Sequence, residues 1–155
     1  MSPGHIYHYF ENKEAIINAI VQQDLEIALN DISESANQDG DVLVSLLSHV
    51  SSSVQELLEM PKAAMRLEVL AEAGRNPTVA AMVREADREI RSRLRGLLME
   101  SPRGSAYLAE GDLDSRVEVL MVLFIGLTTR AIVNPGLDKE ALAHIVRRTL
   151  EQILA

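Results

Sequence analysis

Apolar residues recur every three or four positions along almost the whole chain, which is the spacing of one buried face of an α-helix. In the segment after Asn12, for example, an apolar stripe begins at Ala15 and Ile16 and continues to Ile32. No segment shows the two-residue alternation that is typical of a half-buried strand. The pattern therefore predicts an all-α protein of six or seven helices.

Capping residues and prolines divide this pattern into individual helices. Asn12 can cap a first helix that ends near residue 35, and Asp41 can cap a second helix. Pro61 suits the first turn of a third helix. The pair Asn76 and Pro77 combines a capping residue with proline at the first helical position, which predicts a long helix over about 77–99.

The second half of the chain contains one loop and two further helices. The segment 100–112 is expected to be a loop, or a loop with one short turn of helix. Asp112 or Asp114 should begin a helix that continues to about Val133. Asp138 follows the turn at 134–136 and should cap the last helix.

The helix over 114–133 is apolar around its whole circumference, and the last helix has one apolar stripe with small flanking residues. A helix without a polar face must be buried on two sides. Two such helices from each of two chains would form a four-helix bundle between subunits, whereas the alternative is an internal helix in a monomer. The predicted dimer-interface residues are Val119, Val122, Leu123, Gly126, Arg130, Leu142, Ile145, Val146, Thr149 and Ile153.

Composition and charge restrict the class of protein. A chain of 155 residues with 47% hydrophobic residues can bury the core of one ordinary domain. The absence of cysteine excludes disulfides and thiolate chemistry. The net charge is −8, and residues 1–60 carry ten acidic side chains against one basic side chain, which argues against nonspecific nucleic-acid binding. No apolar run is long enough to span a bilayer, so we expect a cytoplasmic protein.

Candidate catalytic and metal-binding residues are few. His5, His8 and Glu11 could share one face of a helix as metal ligands, but no second cluster completes such a site. The sequence has no nucleophile motif, no glycine-rich phosphate loop and no pair of carboxylates in a recognisable context. We therefore expect no metal, no cofactor and no enzymatic activity.

Three of the five aromatic residues, Tyr7, Tyr9 and Phe10, lie within the first ten positions. They belong to the run SPGHIYHYFENKEAI at 2–16, in which a small residue, a glycine, a tyrosine, a phenylalanine and a lysine follow one another in a compact window. This run resembles the end of the helix-turn-helix in the TetR family of transcriptional regulators. The resemblance implies a TetR-like helical regulatory domain that dimerises through its last two long helices.

The resemblance also implies how the chain is divided. Residues 1–35 would be the remnant of a DNA-binding domain, with a recognition helix and a connecting helix, and residues 36–155 would bind a ligand and dimerise. The recognition helix of a helix-turn-helix lies in the major groove, and a lysine at the start of the next helix can meet a phosphate. The implied DNA-contacting residues are Ser2, Pro3, Gly4, His5, Tyr7, His8 and Lys13.

A small apolar or amphipathic ligand is a further implied partner. It would bind among the helices at 41–59, 61–76, 77–99 and 114–133, in a mostly apolar pocket with His49 or Glu68 as a polar anchor. The chemical identity of this ligand does not follow from the sequence. The candidate ligand-binding residues are Met60, Met65, Glu68, Leu70, Met82, Val83, Met121 and Phe124.

The leading hypothesis is a ligand-responsive transcriptional repressor that binds a palindromic operator as a homodimer. In the TetR family two further helices would precede the motif at 2–16, so we expect a truncated form of such a regulator. We expect this form to bind operator DNA poorly in a gel-shift experiment, and tight sequence-specific binding would contradict that expectation. The alternative is a stand-alone helical module that dimerises or binds a ligand without any DNA-binding role.

Overall fold

The structure, a computed structural model, describes residues 12–37 and 42–154. These two ranges contain seven α-helices and no strand, as the apolar spacing predicts. None of these helices is both long and apolar enough to cross a membrane. The helices are α1 (Lys13–Asn37), α2 (Val42–Leu57), α3 (Met60–Ala73), α4 (Pro77–Glu100), α5 (Gly104–Glu110), α6 (Leu113–Val133) and α7 (Lys139–Ile153).

Side-chain caps begin three of these helices at the positions that the sequence predicts. The Asn12 side-chain oxygen accepts a hydrogen bond from the backbone N–H of Ala15 at 2.8 Å. The Asp138 carboxylate accepts one from the N–H of Ala141 at 3.0 Å. Asn76 caps α4 in the same way, with Pro77 in the first turn. Asp41, the predicted cap of α2, lies outside the described residues.

The segment between α4 and α6 contains more helix than the sequence predicts, because α5 spans seven residues. Two glycines allow this short helix to form so close to its neighbours. A Cβ atom at Gly104 would collide with the backbone of Met99 at the end of α4. Gly111 ends α5 with a φ of 71°, the left-handed conformation that glycine adopts without strain.

Tyr107 of α5 is completely buried and holds the end of the chain against α6. Its hydroxyl donates a hydrogen bond to the backbone oxygen of Leu154 at 2.6 Å. The guanidinium of Arg116 lies 4.9 Å from the ring centroid and also donates to the backbone oxygen of Ile153. A further bond of 2.9 Å to Asp112 raises the pKa of Arg116. Asp112 therefore binds a side chain instead of capping α6.

The buried side chains form two clusters. The larger cluster joins α2, α6 and α7 to the second half of α4 and the end of α1. The smaller cluster joins the first half of α1 to α3 and to the first half of α4, and α1 and α4 therefore belong to both clusters. The buried members of the smaller cluster are Ile17, Val21, Val69, Val79 and Ala86.

Polar contacts reinforce the position of α1 on the turn between α3 and α4. The Lys13 ammonium lies 2.9 Å from the Glu72 carboxylate, and this hydrogen bond is the main cause of the lowered pKa of Glu72. The side-chain amide of Asn76 donates to the Glu14 carboxylate at 2.9 Å. The start of α1 is therefore fixed by the same turn that begins α4.

We expect the substitution Asn76→Ala to lower the free energy of unfolding by about 1–2 kcal/mol, because α4 loses its cap and α1 loses its bond to the turn. Urea unfolding followed by circular dichroism measures this change. Asn30→Ala is the matched control, since Asn30 is exposed on α1 and should change stability by no more than about 0.5 kcal/mol. Equal stabilities of the two variants would contradict the prediction.

Candidate functional site

A cavity of about 340 Å³ lies where the two core clusters meet. Val21, Val69 and Ala86 of the smaller cluster line it, and so do buried residues of the larger cluster such as Val50 and Leu120. Its walls come from α1, α2, α3, α4 and α6, with one leucine from α7. Most of the lining is aliphatic, so the cavity suits a ligand with an apolar body.

Polar side chains of α1 and α2 line part of the cavity. The hydroxyl of Ser53 donates to the Asp31 carboxylate at 3.2 Å. Nδ1 of His49 lies 3.0 Å from the backbone oxygen of Ser45, and its Nε2 lies 3.4 Å from the Glu34 carboxylate. In the described part of the chain, no three His, Asp or Glu side chains are arranged to hold a metal ion. These groups therefore provide hydrogen bonds and charge.

Arg66 of α3 brings a guanidinium to the cavity wall. Its Nε and Nη2 donate to the two carboxylate oxygens of Asp24 on α1, each at 2.9 Å. Nη2 also lies 3.9 Å from the Glu56 carboxylate, which accepts a hydrogen bond from Lys62 at 3.1 Å. The hydrogen bond that Lys62 donates to Glu56 is the main cause of the raised pKa of Lys62. Arg66 thus links α1, α2 and α3 at one place in the wall.

The structure places four of the eight candidate ligand-binding residues in the cavity lining, and also His49. Those four are Leu70, Val83, Met121 and Phe124. Met60, Met65, Glu68 and Met82 lie outside the lining. The rotation of α3 explains most of this difference, because residues spaced by three and four positions share a face. Arg66, Val69 and Leu70 line the cavity, although Leu70 is also 41% exposed, whereas Met65 and Glu68 are exposed and do not line it.

The contribution of α1 to the cavity was not predicted from the sequence. Asp24, Asp31 and Arg66 were not among the candidates, and the expected pocket region began only at residue 41. A signal was nevertheless present in the apolar stripe of α1. Asp24 and Asp31 stand two helical turns apart on the side that also carries the buried Val21 and Ile32. Acidic residues within a buried stripe indicate a polar contact inside the fold.

Most of the candidate DNA-contacting residues are not part of the described structure. Ser2, Pro3, Gly4, His5, Tyr7 and His8 all lie outside the described residues. Lys13 is described at the start of α1, where its side chain is 65% exposed although it pairs with Glu72. Residues 13–16 of the motif form the start of α1. The motif at 2–16 therefore continues directly into α1, which is one of the helices that line the cavity.

The predicted dimer-interface residues occupy different environments. Val119, Val122, Gly126, Arg130 and Ile145 are exposed, and Leu123, Leu142, Thr149 and Ile153 are partly buried. Val146 is only 8% exposed, because it belongs to the larger cluster of its own chain. Ile125, Ile132 and Val133 of α6 are further exposed apolar residues that the prediction omitted. One side of α6 is therefore buried in the chain and the other side presents apolar groups to the surface.

Comparison with known proteins identifies the family. The family model for the C-terminal domain of BetI-type transcriptional repressors matches residues 46–155. The HTH-type transcriptional regulator UidR of Escherichia coli is 36% identical over 86 residues, which are 54% of this chain and 41% of UidR. UidR of Shigella flexneri gives the same values. The structure of Salmonella enterica GusR superposes with a TM-score of 0.68 and 26% identity, over 99% of this chain and 79% of GusR.

The match covers less than half the length of the curated relatives. Those relatives are transcriptional regulators, which confirms that the chain is not an enzyme. The all-α fold, the match of the family model and the likeness to GusR agree with the resemblance seen in residues 2–16. The chain belongs to the TetR family of transcriptional regulators, and its residues 46–155 are of the BetI-type C-terminal kind.

Proposed function

We propose that this chain acts in a ligand-responsive transcriptional repressor that binds a palindromic operator as a homodimer. In this proposal residues 1–35 belong to the DNA-binding domain, and residues 36–155 bind the ligand and form the dimer. The observation that carries it is the cavity at the junction of the two core clusters, whose wall includes the helix that continues the motif at 2–16. The repressor assignment is supported by the matching family model.

The position of the cavity supports control of DNA binding by a ligand. The first half of α1 is held by the smaller cluster, and three members of that cluster line the cavity. A ligand that fills the cavity contacts α1 and α4 at once, so it can favour one arrangement of α1 over another. A ligand shifts such an equilibrium by the difference between its affinities for the two arrangements. Lys13 is the first residue of α1, and the other proposed DNA-contacting residues precede this helix in the sequence.

The exposed apolar side of α6 supports a homodimer. Val119 and Val122 on α6 and Ile145 on α7 are between 43% and 61% exposed in the single chain. Contiguous exposed apolar groups on a protein surface mark sites of association. Gly126 has open space around its α-carbon, which would allow a partner helix to approach closely. A twofold axis through this surface would match the symmetry of a palindromic operator.

The alternative of a stand-alone helical module has less support. UidR is named as an HTH-type regulator, and the residues of this chain that align with it make up 54% of this chain. The motif at 2–16 also resembles the end of the helix-turn-helix in the TetR family. The proposed partners are therefore operator DNA, a second copy of the chain and a small apolar or amphipathic ligand.

We expect the neutral dye N-phenyl-1-naphthylamine to bind in the cavity and to become more fluorescent there. Ala28 of α1 lines the cavity, and Ala28→Phe would fill part of it. We expect this variant to bind the dye at least about tenfold more weakly, because the dye can no longer bury its apolar surface. Fluorescence titration measures the dissociation constant.

The control for this experiment is Ala109→Phe, since Ala109 is exposed on α5 and does not line the cavity. This variant should bind the dye like the original chain. Thermal unfolding of both variants should show that the fold is retained. Unchanged dye binding by Ala28→Phe, or equal loss in both variants, would refute the assignment of the cavity as the ligand site.

We expect Val122→Glu to weaken dimerisation by about tenfold or more, because an unpaired carboxylate would be buried between the subunits. Analytical ultracentrifugation measures the monomer–dimer equilibrium. Val44→Glu is a matched control, since Val44 on α2 is 62% exposed and Val122 is 61% exposed. A monomeric wild-type chain, or equal effects of the two substitutions, would argue against this interface.

A further inference from the structure

Thr128 is the polar residue that α6 contributes to the cavity lining. Met121, Phe124 and Ile125 line the cavity from the same helix, and Thr128 follows Phe124 by four positions on the same side. Thr128 is only 4% exposed, so nearly all of its surface is covered by the fold. The α6 wall of the cavity therefore carries one buried hydroxyl group among apolar side chains.

The Thr128 hydroxyl has no hydrogen-bond partner within the part of the chain that the structure describes. A threonine inside a helix can donate its hydroxyl to the carbonyl oxygen four positions earlier, as Thr149 of α7 donates to Ile145 at 2.9 Å. Thr128 makes no such bond to Phe124. A buried hydroxyl without a partner is unfavourable, and a ligand that supplies a partner removes this cost.

The hydroxyl oxygen of Thr128 is accessible from the cavity. In the described ranges, the fully enclosed side-chain atoms without a hydrogen-bond partner are Oγ of Ser45, Nη1 of Arg66 and Oδ1 of Asp112. The Thr128 oxygen also lacks a partner but is not one of these enclosed atoms, so it retains accessible surface. Because Thr128 lines the cavity and is otherwise buried, we take that surface to face the cavity.

The other polar side chains of the lining are already paired. Each of them, among the described residues, has a hydrogen bond or an ion pair with another residue of the chain. Two of these pairs, Asp24 with Arg66 and Asp31 with Ser53, lie within the lining itself. Of the described lining residues, Thr128 is therefore the one whose accessible polar group is unused.

We infer that Thr128 determines specificity in the ligand site and that its hydroxyl donates a hydrogen bond to a carbonyl or hydroxyl oxygen of an otherwise apolar ligand. A hydrocarbon of the same shape would leave the hydroxyl unpaired, so the cavity favours the ligand that carries the oxygen. This inference rests on the proposed function, because it takes the cavity to be a ligand site. It goes further by naming the residue and the functional group that it selects.

The test compares benzophenone with diphenylmethane, two ligands of similar size that differ by a carbonyl in place of a methylene group. Displacement of N-phenyl-1-naphthylamine, followed by fluorescence, measures both dissociation constants. Thr128→Val replaces the hydroxyl by a methyl group of similar size. We expect this variant to bind benzophenone about fivefold more weakly, because one neutral hydrogen bond is lost. Its affinity for diphenylmethane should change by less than about twofold, since the hydrocarbon cannot accept that bond.

The quantity to compare between chains is the ratio of the two dissociation constants, because the different hydration of the two free ligands cancels in that comparison. Thr129→Val is the matched control, since Thr129 is the next residue, is exposed and does not line the cavity. It should leave the ratio unchanged. Thermal unfolding of Thr128→Val should occur at or above the temperature of the original chain, because the hydroxyl has no partner to lose in the described structure.

A second pair of variants tests the same hydroxyl if the valine variant does not fold. Thr128→Ser retains the hydroxyl and should retain the preference for benzophenone. Thr128→Ala removes the hydroxyl and should lose this preference by about fivefold relative to the serine variant. Equal ratios in the serine and alanine variants would refute the role of the hydroxyl.

The possible outcomes separate the inference from the proposed function. If both ligands bind in the cavity but Thr128→Val leaves the ratio unchanged, the role of Thr128 is refuted and the ligand site stands. Equal weakening of both ligands, or the same shift in Thr129→Val, would also refute it, because a change in packing would then explain the result. If neither the dye nor either ligand binds the original chain, the proposed ligand site fails, and the inference fails with it.

Discussion

The packing of α1 against α3 and α4 is the contact on which the rest of the structure depends. This contact buries Ile17 and Val21 of α1 beside Val69, Val79 and Ala86, and α1 also contributes to the larger cluster through Ile32 near its other end. The helix α1 therefore joins the two clusters, and it also lines the cavity that lies between them.

The helix ends were predictable because they depend on residues that are close together in the sequence. Asn12, Asn76 and Asp138 each accept a hydrogen bond from an N–H within three positions, so their role can be recognised without the tertiary structure. The whole-circumference apolar pattern of α6 likewise predicted two packed sides, and the structure buries one of them. The sequence predicted at most one short turn of helix where α5 forms, because seven residues are too few to show a period.

The cavity was only partly predictable, since its lining depends on how each helix is rotated and on contacts between distant residues. Methionine is common in flexible pockets, yet Met60 and Met65 are 44% and 39% exposed on the surface of α3. Arg66 and Asp24 are 42 residues apart, and no local pattern pairs them. The polar residues within the apolar stripe of α1 were the available signal, because a partly buried carboxylate is stabilised by a partner elsewhere in the fold.

Asn76 joins two elements through one side chain, since its oxygen caps α4 and its amide binds Glu14 on α1. Loss of the first turn of α4 would therefore also release the start of α1, and the two should open as a single cooperative unit. The amide protons of these two segments would then exchange with solvent at a common rate, although they lie more than sixty positions apart in the chain. A helix cap, which normally acts only on its own helix, here also joins two helices that are distant in the sequence.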